Sequence, residues 1–195
     1  TKSFRIPSIK NPKKFNEKIL FLKLYERNPY AKIISDRRTL PIYLKAKGID
    51  FNHVPKTLLF VNSIEELDIN KLPKGSYFIK ACHGSGMTMK INLPEDLIDK
   101  RQYERIEKTT QQWLNTSYAF IGKEYQYYCP YNERALILEE DLNQKHKNLI
   151  DIKLHFSRGG LIFSQVDYDR FTNHTRSFYD SKWNKLPFST LYPLN

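Results

Sequence analysis

The chain has 195 residues, a hydrophobic fraction of 40% and a net charge of +11. That is enough apolar material for one domain or two small lobes to bury a core, which excludes a disordered chain. No run approaches the roughly 18–20 apolar residues of a membrane-spanning helix, and no apolar leader follows Lys2 and Arg5.

The first residue is Thr1 rather than methionine, so the natural start is expected upstream. Cys82 and Cys129 are the only cysteines. Their spacing fits no zinc motif and two thiols make no disulfide framework, which points to a reducing, cytoplasmic compartment. The basic excess includes Lys2, Arg5, Lys10, Lys13, Lys14, Lys18 and Lys23. It predicts affinity for polyanions: nucleotide phosphates, acidic glycans, nucleic acid or the anionic inner face of a membrane, at which the chain would associate peripherally. No RNA-recognition, zinc-finger or helix-turn-helix signature accompanies the charge, so specific nucleic-acid recognition is not expected.

Pro12 opens a helical pattern in which Phe15, Ile19, Leu22 and Tyr25 form one apolar face. Asn28-Pro29 interrupts it. A second helix is expected over Asp36–Lys47, with Leu40 and Leu44 inward and Gly48 as its cap. Lys56–Asn62 is β-branched and apolar enough for a strand, with Thr57–Val61 at its centre. Ser63 and Glu66 then have the spacing of a capping box. Pro73–Ser76 is a turn, Tyr77–Ala81 a strand carrying an inward-reaching Lys80, and Thr88–Asn92 its hairpin partner. Pro94 starts a helical stretch. The clearest helix spans Lys100–Asn115, with Tyr103, Ile106 and Trp113 for the core. Ala135–Glu139 reads as a buried strand ending in acids, and 143–148 as a polar loop. Ile150–Phe156 and Leu161–Val166 flank a glycine turn as a β-hairpin. This order of elements indicates an α+β fold rather than a doubly wound parallel sheet.

Between the strands Tyr77–Ala81 and Thr88–Asn92 lies His83-Gly84-Ser85-Gly86. Glycines let a backbone turn tightly and approach an anion, successive N–H groups point at its oxygens, and Lys80 adds full charge. The same residues could form an ordinary hairpin turn. Three further features follow: Glu139-Glu140-Asp141-Leu142 at a strand end, Asp151-Ile152-Lys153 opening a hairpin, and Asp169-Arg170 at its far end. Nucleotide recognition needs such parts: a loop and cations for phosphates, and a strand-end backbone for the adenine edge. Taken singly, Lys153 would be a solvent-facing strand lysine and the acids a polar strand end. His53, His146 and His155 have no ligand spacing.

In this order the chain resembles the ATP-grasp superfamily, and more narrowly the TupA-like ATP-grasp family of teichuronopeptide biosynthesis. The resemblance begins at Asn16–Pro29. It continues through Phe78–Gly86, Leu138–Leu142 and Asp151–Lys153, and closes with Asp169–Phe171 and His174–Asp180. It implies an ATP-grasp-like fold. Residues 1–72 would be a helical N-terminal region, 73–142 a small lobe with the glycine loop, and 143–195 the start of a second lobe.

The resemblance also implies roles. Lys80 would contact the α- or β-phosphate, and His83, Gly84, Ser85 and Gly86 would close over the phosphates. Glu139, Glu140, Asp141 and Leu142 would form the adenine hinge. Asp151 and Lys153 would lie beside the nucleotide, Arg170 would stabilise the transferred phosphoryl group, and His174 and Arg176 would hold the acceptor. ATP and Mg2+ are the implied cofactors, but the family's acidic metal-binding strand pair does not appear before Asn195, so its ligands are expected beyond that residue. The implied reaction is ATP-dependent carboxylate–amine ligation through an acylphosphate in cell-surface polysaccharide biosynthesis, with an anionic glycan, amino acid or peptide as acceptor. A glycosyltransferase or glycan kinase, and a non-catalytic polyanion-binding module, remain open as rivals.

Overall fold

The computed structural model describes residues 6–49, 56–68, 71–122, 134–142, 149–170 and 172–195. Lys2, Arg5, His53, Cys129, His146, Phe171 and the expected loop 143–148 lie outside them. The chain divides into two compact units, Thr1–Glu140 and Asp141–Asn195. The described elements mix helices with two wholly antiparallel sheets, as an α+β reading requires.

The first unit opens with three helices, α1 (Phe15–Tyr25), α2 (Ala31–Ser35) and α3 (Thr39–Ala46). Glu17 fixes the start of α1, because its carboxylate accepts the backbone N–H groups of Lys13 and Lys14, each at 3.0 Å, and of Ser8 at 3.2 Å. The helix expected over Asp36–Lys47 is α3, which starts three residues later, after a turn at Asp36, and α2 precedes that turn. Asp36 is buried and holds Arg38 through both carboxylate oxygens, at 3.2 and 2.7 Å, which ties down that turn. Leu40 and Leu44 are half-buried. Gly48 adopts φ +71° beyond α3, the left-handed conformation that ends helices, and Ile49 donates back to the Leu44 carbonyl at 3.1 Å.

A four-stranded sheet in the order β1-β4-β2-β3 follows, from β1 (Thr57–Val61), β2 (Gly75–Ala81), β3 (Thr88–Leu93) and β4 (Leu136–Glu140). A short 3-10 turn, Ile64–Glu66, leaves β1, and here Glu66 accepts the N–H of Asn62 rather than that of Ser63. The helices α4 (Glu95–Ile98), α5 (Lys100–Leu114) and α6 (Tyr118–Gly122) lie between β3 and β4 in the chain. Asp99 caps α5 by accepting the Gln102 N–H at 2.8 Å. Tyr103, Ile106, Thr110 and Trp113 recur at helical spacing, and Ile106 and Thr110 are buried. Ile106 joins Val61, Tyr77, Ile79, Ile91, Leu93, Leu136 and Leu138 in one apolar core, with Tyr103 and Trp113 packed against it.

The second unit is an antiparallel meander of β5 (Asp151–Ser157), β6 (Gly160–Tyr168) and β7 (Thr175–Asp180). Gly160 takes φ +110° where β5 turns into β6, which is why glycine stands there. Two outcomes differ from the sequence pattern. β6 runs to Tyr168 rather than Val166, and Thr175–Asp180 is a strand. The segment after β7 folds back on it: Leu186 donates to the Phe178 carbonyl at 2.7 Å, and the rings of Phe178 and Phe188 stack at 5.0 Å.

The core assignment carries a test. Ile106→Ala should lower the unfolding free energy by about 2–5 kcal/mol, the range for opening an unfilled space in a packed core. Ile42→Ala, on the exposed side of α3, should change it by less than about 0.5 kcal/mol. Urea unfolding of both variants decides; equal losses would contradict the packing of α5 on the sheet.

Candidate functional site

Alternation along β2 decides where Lys80 goes. Tyr77, Ile79 and Ala81 are buried in the core that contains Ile106, so Phe78 and Lys80 must point to the opposite face. Lys80 therefore does not reach into the core, as the sequence pattern suggested. Register places Lys80 opposite Ile137 and Phe78 opposite Glu139, which gathers all four on that second face. The Lys80 ammonium donates to Glu139 Oε2 and lies 5.8 Å from the centre of the Phe78 ring. Phe60, half-exposed and paired with Ile137, adds a second aromatic group there.

The glycine loop begins where β2 ends. Ser85 and Gly86 are exposed, whereas His83 and Gly84 are buried. His83 Nε2 lies 3.0 Å from the Trp113 carbonyl, so it carries the proton and donates. Burial pulls the His83 pKa down despite that bond. His83 is thus a neutral anchor beneath the loop, and its Nδ1 is buried without a partner. A Cβ on Gly84 would lie 2.7 Å from Met87 Sδ and 3.3 Å from Tyr118 Cδ2, so only glycine fits there without displacing them. Gly86 adopts φ +73°. The N–H groups of Ser85 and Gly86 have no backbone acceptor among the described residues. Successive exposed N–H groups in a glycine loop, directly after the strand that carries Lys80, suit an anion such as a phosphate chain. Cys82, at the loop's base, is buried and its thiol is pushed up to about 12, chiefly by burial; it is inert.

The support under this loop was not legible in the sequence. Arg37 Nη1 donates to the carbonyls of Ala81 at 2.6 Å and Gly84 at 2.8 Å, and the Arg37 N–H donates to Cys82 O at 3.3 Å. These acceptors are backbone groups more than forty residues away, for which no local pattern exists.

In the second unit Asp167 organises the candidate residues. Its carboxylate is fully buried. Oδ2 accepts from Lys153 Nζ at 2.9 Å and Gln165 Nε2 at 2.8 Å, while Oδ1 accepts from Arg176 Nε at 2.5 Å and His174 Nε2 at 3.1 Å. Burial alone would raise its pKa. The four hydrogen bonds, led by Arg176 and Lys153, outweigh burial and hold it far below the usual carboxylate range. Lys153 also lies 2.9 Å from Asp151 Oδ2, and Arg170 pairs with that same oxygen. The ring of Tyr192 stacks on His174 at 3.6 Å and lies 4.8 Å from the Arg176 guanidinium.

The fold thus gathers Asp151, Lys153, Arg170, His174 and Arg176 into one network, but through a carboxylate the sequence pattern did not single out. Ending β6 at Val166 hid Asp167. The signal available was a charge continuing the alternation Phe163, Gln165, Asp167, on the same face as Lys153, which pairs with Gln165. Glu139 is in the first unit's sheet, Glu140 ends it on the core face opposite Tyr77, Asp141 is buried and Leu142 half-buried. Among the described residues no three His, Cys, Asp or Glu side chains converge as a metal site. Asp167 and Asp151 are committed to cations and donors, so the described residues do not fit a magnesium ion.

Residues 17–195 match the family of TupA-like ATPgrasp proteins. The chain belongs to the TupA-like ATP-grasp family. No curated protein and no solved structure matches it significantly. Membership in this ATP-grasp family implies nucleotide binding and ATP-dependent ligase or transferase chemistry. None of the described helices is long and apolar enough to cross a membrane.

Two substitutions test the geometry. Gly86→Ala meets nothing within 4 Å, so its cost of about 1 kcal/mol should come from backbone strain alone; thermal unfolding with no loss would mean the loop turns otherwise. Asp167→Asn strands Lys153 and Arg176 and should cost about 3 kcal/mol near neutral pH. Because the folded-state pKa is depressed, the Asp167 contribution is present above the unfolded carboxylate value and lost as pH falls through the folded one. The deficit of the variant should therefore be constant from about pH 5 upward and shrink below about pH 4. Urea titrations across that range measure it.

Proposed function

We propose that this ATP-grasp chain is an ATP-dependent carboxylate–amine ligase of cell-surface polysaccharide biosynthesis. The observation that carries the proposal is the glycine loop Gly84–Gly86, with the N–H groups of Ser85 and Gly86 lacking a backbone acceptor among the described residues, directly after the strand that carries Lys80, in a chain of this family. In this reading Lys80 holds the α- or β-phosphate and the N–H groups of Gly84, Ser85 and Gly86 bind phosphate oxygens. His83 fixes the loop from below. The main chain of Glu140, Asp141 and Leu142 presents its edge to the adenine, and Glu139 keeps Lys80 extended.

Asp151 and Lys153 would lie beside the nucleotide, with Lys153 directed at the phosphates and Arg170 at the transferred group. His174 and Arg176, held by Asp167, would face a carboxylate or anionic acceptor. A substrate carboxylate oxygen forms a bond to the γ-phosphorus as the bond to the β–γ bridging oxygen breaks and ADP leaves. An amine then attacks the acyl carbon, phosphate departs with the C–O electron pair, and the amine loses a proton to solvent. Such a sequence requires positioning and charge stabilisation rather than a protein nucleophile, and no step here is routed through residues of this chain as metal ligands. A basic chain suits an anionic glycan or an acidic amino-acid or peptide acceptor.

The test is thermal unfolding with a non-hydrolysable ATP analogue, for wild type and Lys80→Ala. Analogue at about 100 times its dissociation constant should stabilise wild type by about 2.7 kcal/mol and leave the variant nearly unshifted at that concentration. Equal shifts, or none, would remove the glycine loop as the nucleotide site. Where turnover is observed, ADP with phosphate marks a ligase, and release of a nucleoside diphosphate from a sugar nucleotide marks a glycosyltransferase.

A further inference from the structure

The apolar face of α1, legible in the sequence pattern, is left in the open by the fold. Phe15 is 75% exposed, Ile19 38%, Leu22 42% and Tyr25 58%. At 100° per residue these four share one side of the helix. Leu24 lies on the other side, and Phe21, whose ring meets that of Tyr25 at 4.9 Å, widens the stripe; both are also exposed by more than a third. An eleven-residue helix apolar on both sides is not stable in water by propensity and needs cover from outside itself.

The charge around it is predominantly positive, with Glu26 at the C-terminal end of α1 the exposed acid. Residues 1–47 contain thirteen Lys and Arg against three Asp and Glu, whereas residues 48–195 contain nineteen against eighteen. Almost all of the +11 therefore belongs to this end of the chain. Lys14 borders the stripe on one side and Lys23 on the other, Lys18 lies between Tyr25 and Leu22, and Lys10 and Lys13 precede it. Glu17, the acid within α1, is buried with its oxygens on backbone N–H groups.

We propose that α1 and the lysines before it form a docking face for the surface of an anionic lipid bilayer. The stripe Phe15, Ile19, Leu22 and Tyr25 would seat at the boundary between headgroups and acyl chains, and the ammonium groups would reach headgroup phosphates along their apolar stems. The charge decides against a second copy of the chain, which would bring a like-charged surface to the same contact. A soluble polyanion would satisfy the lysines and leave the stripe uncovered. At eleven residues α1 is too short to span and would lie in the plane of the surface. This face is independent of the nucleotide reading and is tested without nucleotide.

The experiment is co-sedimentation of the full chain with vesicles of phosphatidylcholine alone, or of phosphatidylcholine with phosphatidylglycerol, over a range of salt. Binding to the anionic vesicles that weakens as salt rises, with little binding to neutral ones, is expected for wild type. The triple variant Lys13→Glu, Lys14→Glu, Lys18→Glu should lose on the order of a hundredfold in affinity. The double variant Phe15→Ser, Leu22→Ser should lose about tenfold or more. Both should melt with wild type in the absence of vesicles, because the altered side chains are exposed; the salt and lipid dependence of wild type needs no variant. Equal binding to both vesicles, no binding, or loss in the lysine variant alone would overturn the proposal. So would a dimer in sedimentation equilibrium that the Phe15/Leu22 variant abolishes while vesicle binding persists unchanged.

Discussion

Successive side chains on a strand leave on opposite sides, and that constraint organises the first unit. Burying Tyr77, Ile79 and Ala81 in the core with Ile106 commits Phe78 and Lys80 to the other side. β4 obeys the same rule, so Glu139 arrives beside Lys80 while Leu138 goes to the core. A single-residue slip between β2 and β4 would send the ammonium into the apolar layer and the isoleucine to the surface. The chemistry and the stability of this sheet are therefore fixed by one register.

The second unit solves a different electrostatic problem. A fully buried carboxylate is expensive unless every lone pair is satisfied and its charge is balanced. Asp167 meets both conditions with four donors from β5, β6, β7 and the residue before β7. The same bonds hold Lys153 and Arg176 in place, so two cations that would otherwise wander are presented with defined geometry. Asp151 plays the outer version of this part, shared by Lys153 and Arg170.

What could be read from the sequence was what is local. The glycine loop, both hairpins, α5 and its inward Tyr103, Ile106 and Trp113 follow from short-range patterns. Non-local facts could not be read. Glu139 pairs with Lys80 only because β4 inserts between β1 and β2, and Arg37 reaches its carbonyls only once the sheet has formed. β7 escaped because Phe178 and Tyr179 are adjacent and break the alternation that marks a strand. The stripe on α1 shows the limit of periodicity most clearly: it reveals that a face is apolar and says nothing of what covers it.

The grip of Arg37 has a mechanical consequence. One nitrogen bonds the carbonyls of Ala81 and Gly84, and His83, between them, is pinned to Trp113. The first shoulder of the loop is therefore fastened twice, to the turn after α2 and to the end of α5, and the second by the Ala81 N–H, which donates to the Met87 carbonyl at 3.0 Å. Only Ser85 and Gly86 are left to swing. A lid of that size closes over a ligand with few torsions to arrest, so little conformational entropy is lost at closure. The tip behaves as a latch on a rigid frame rather than as a flap, and its travel is set by an arginine that never has to touch what it encloses.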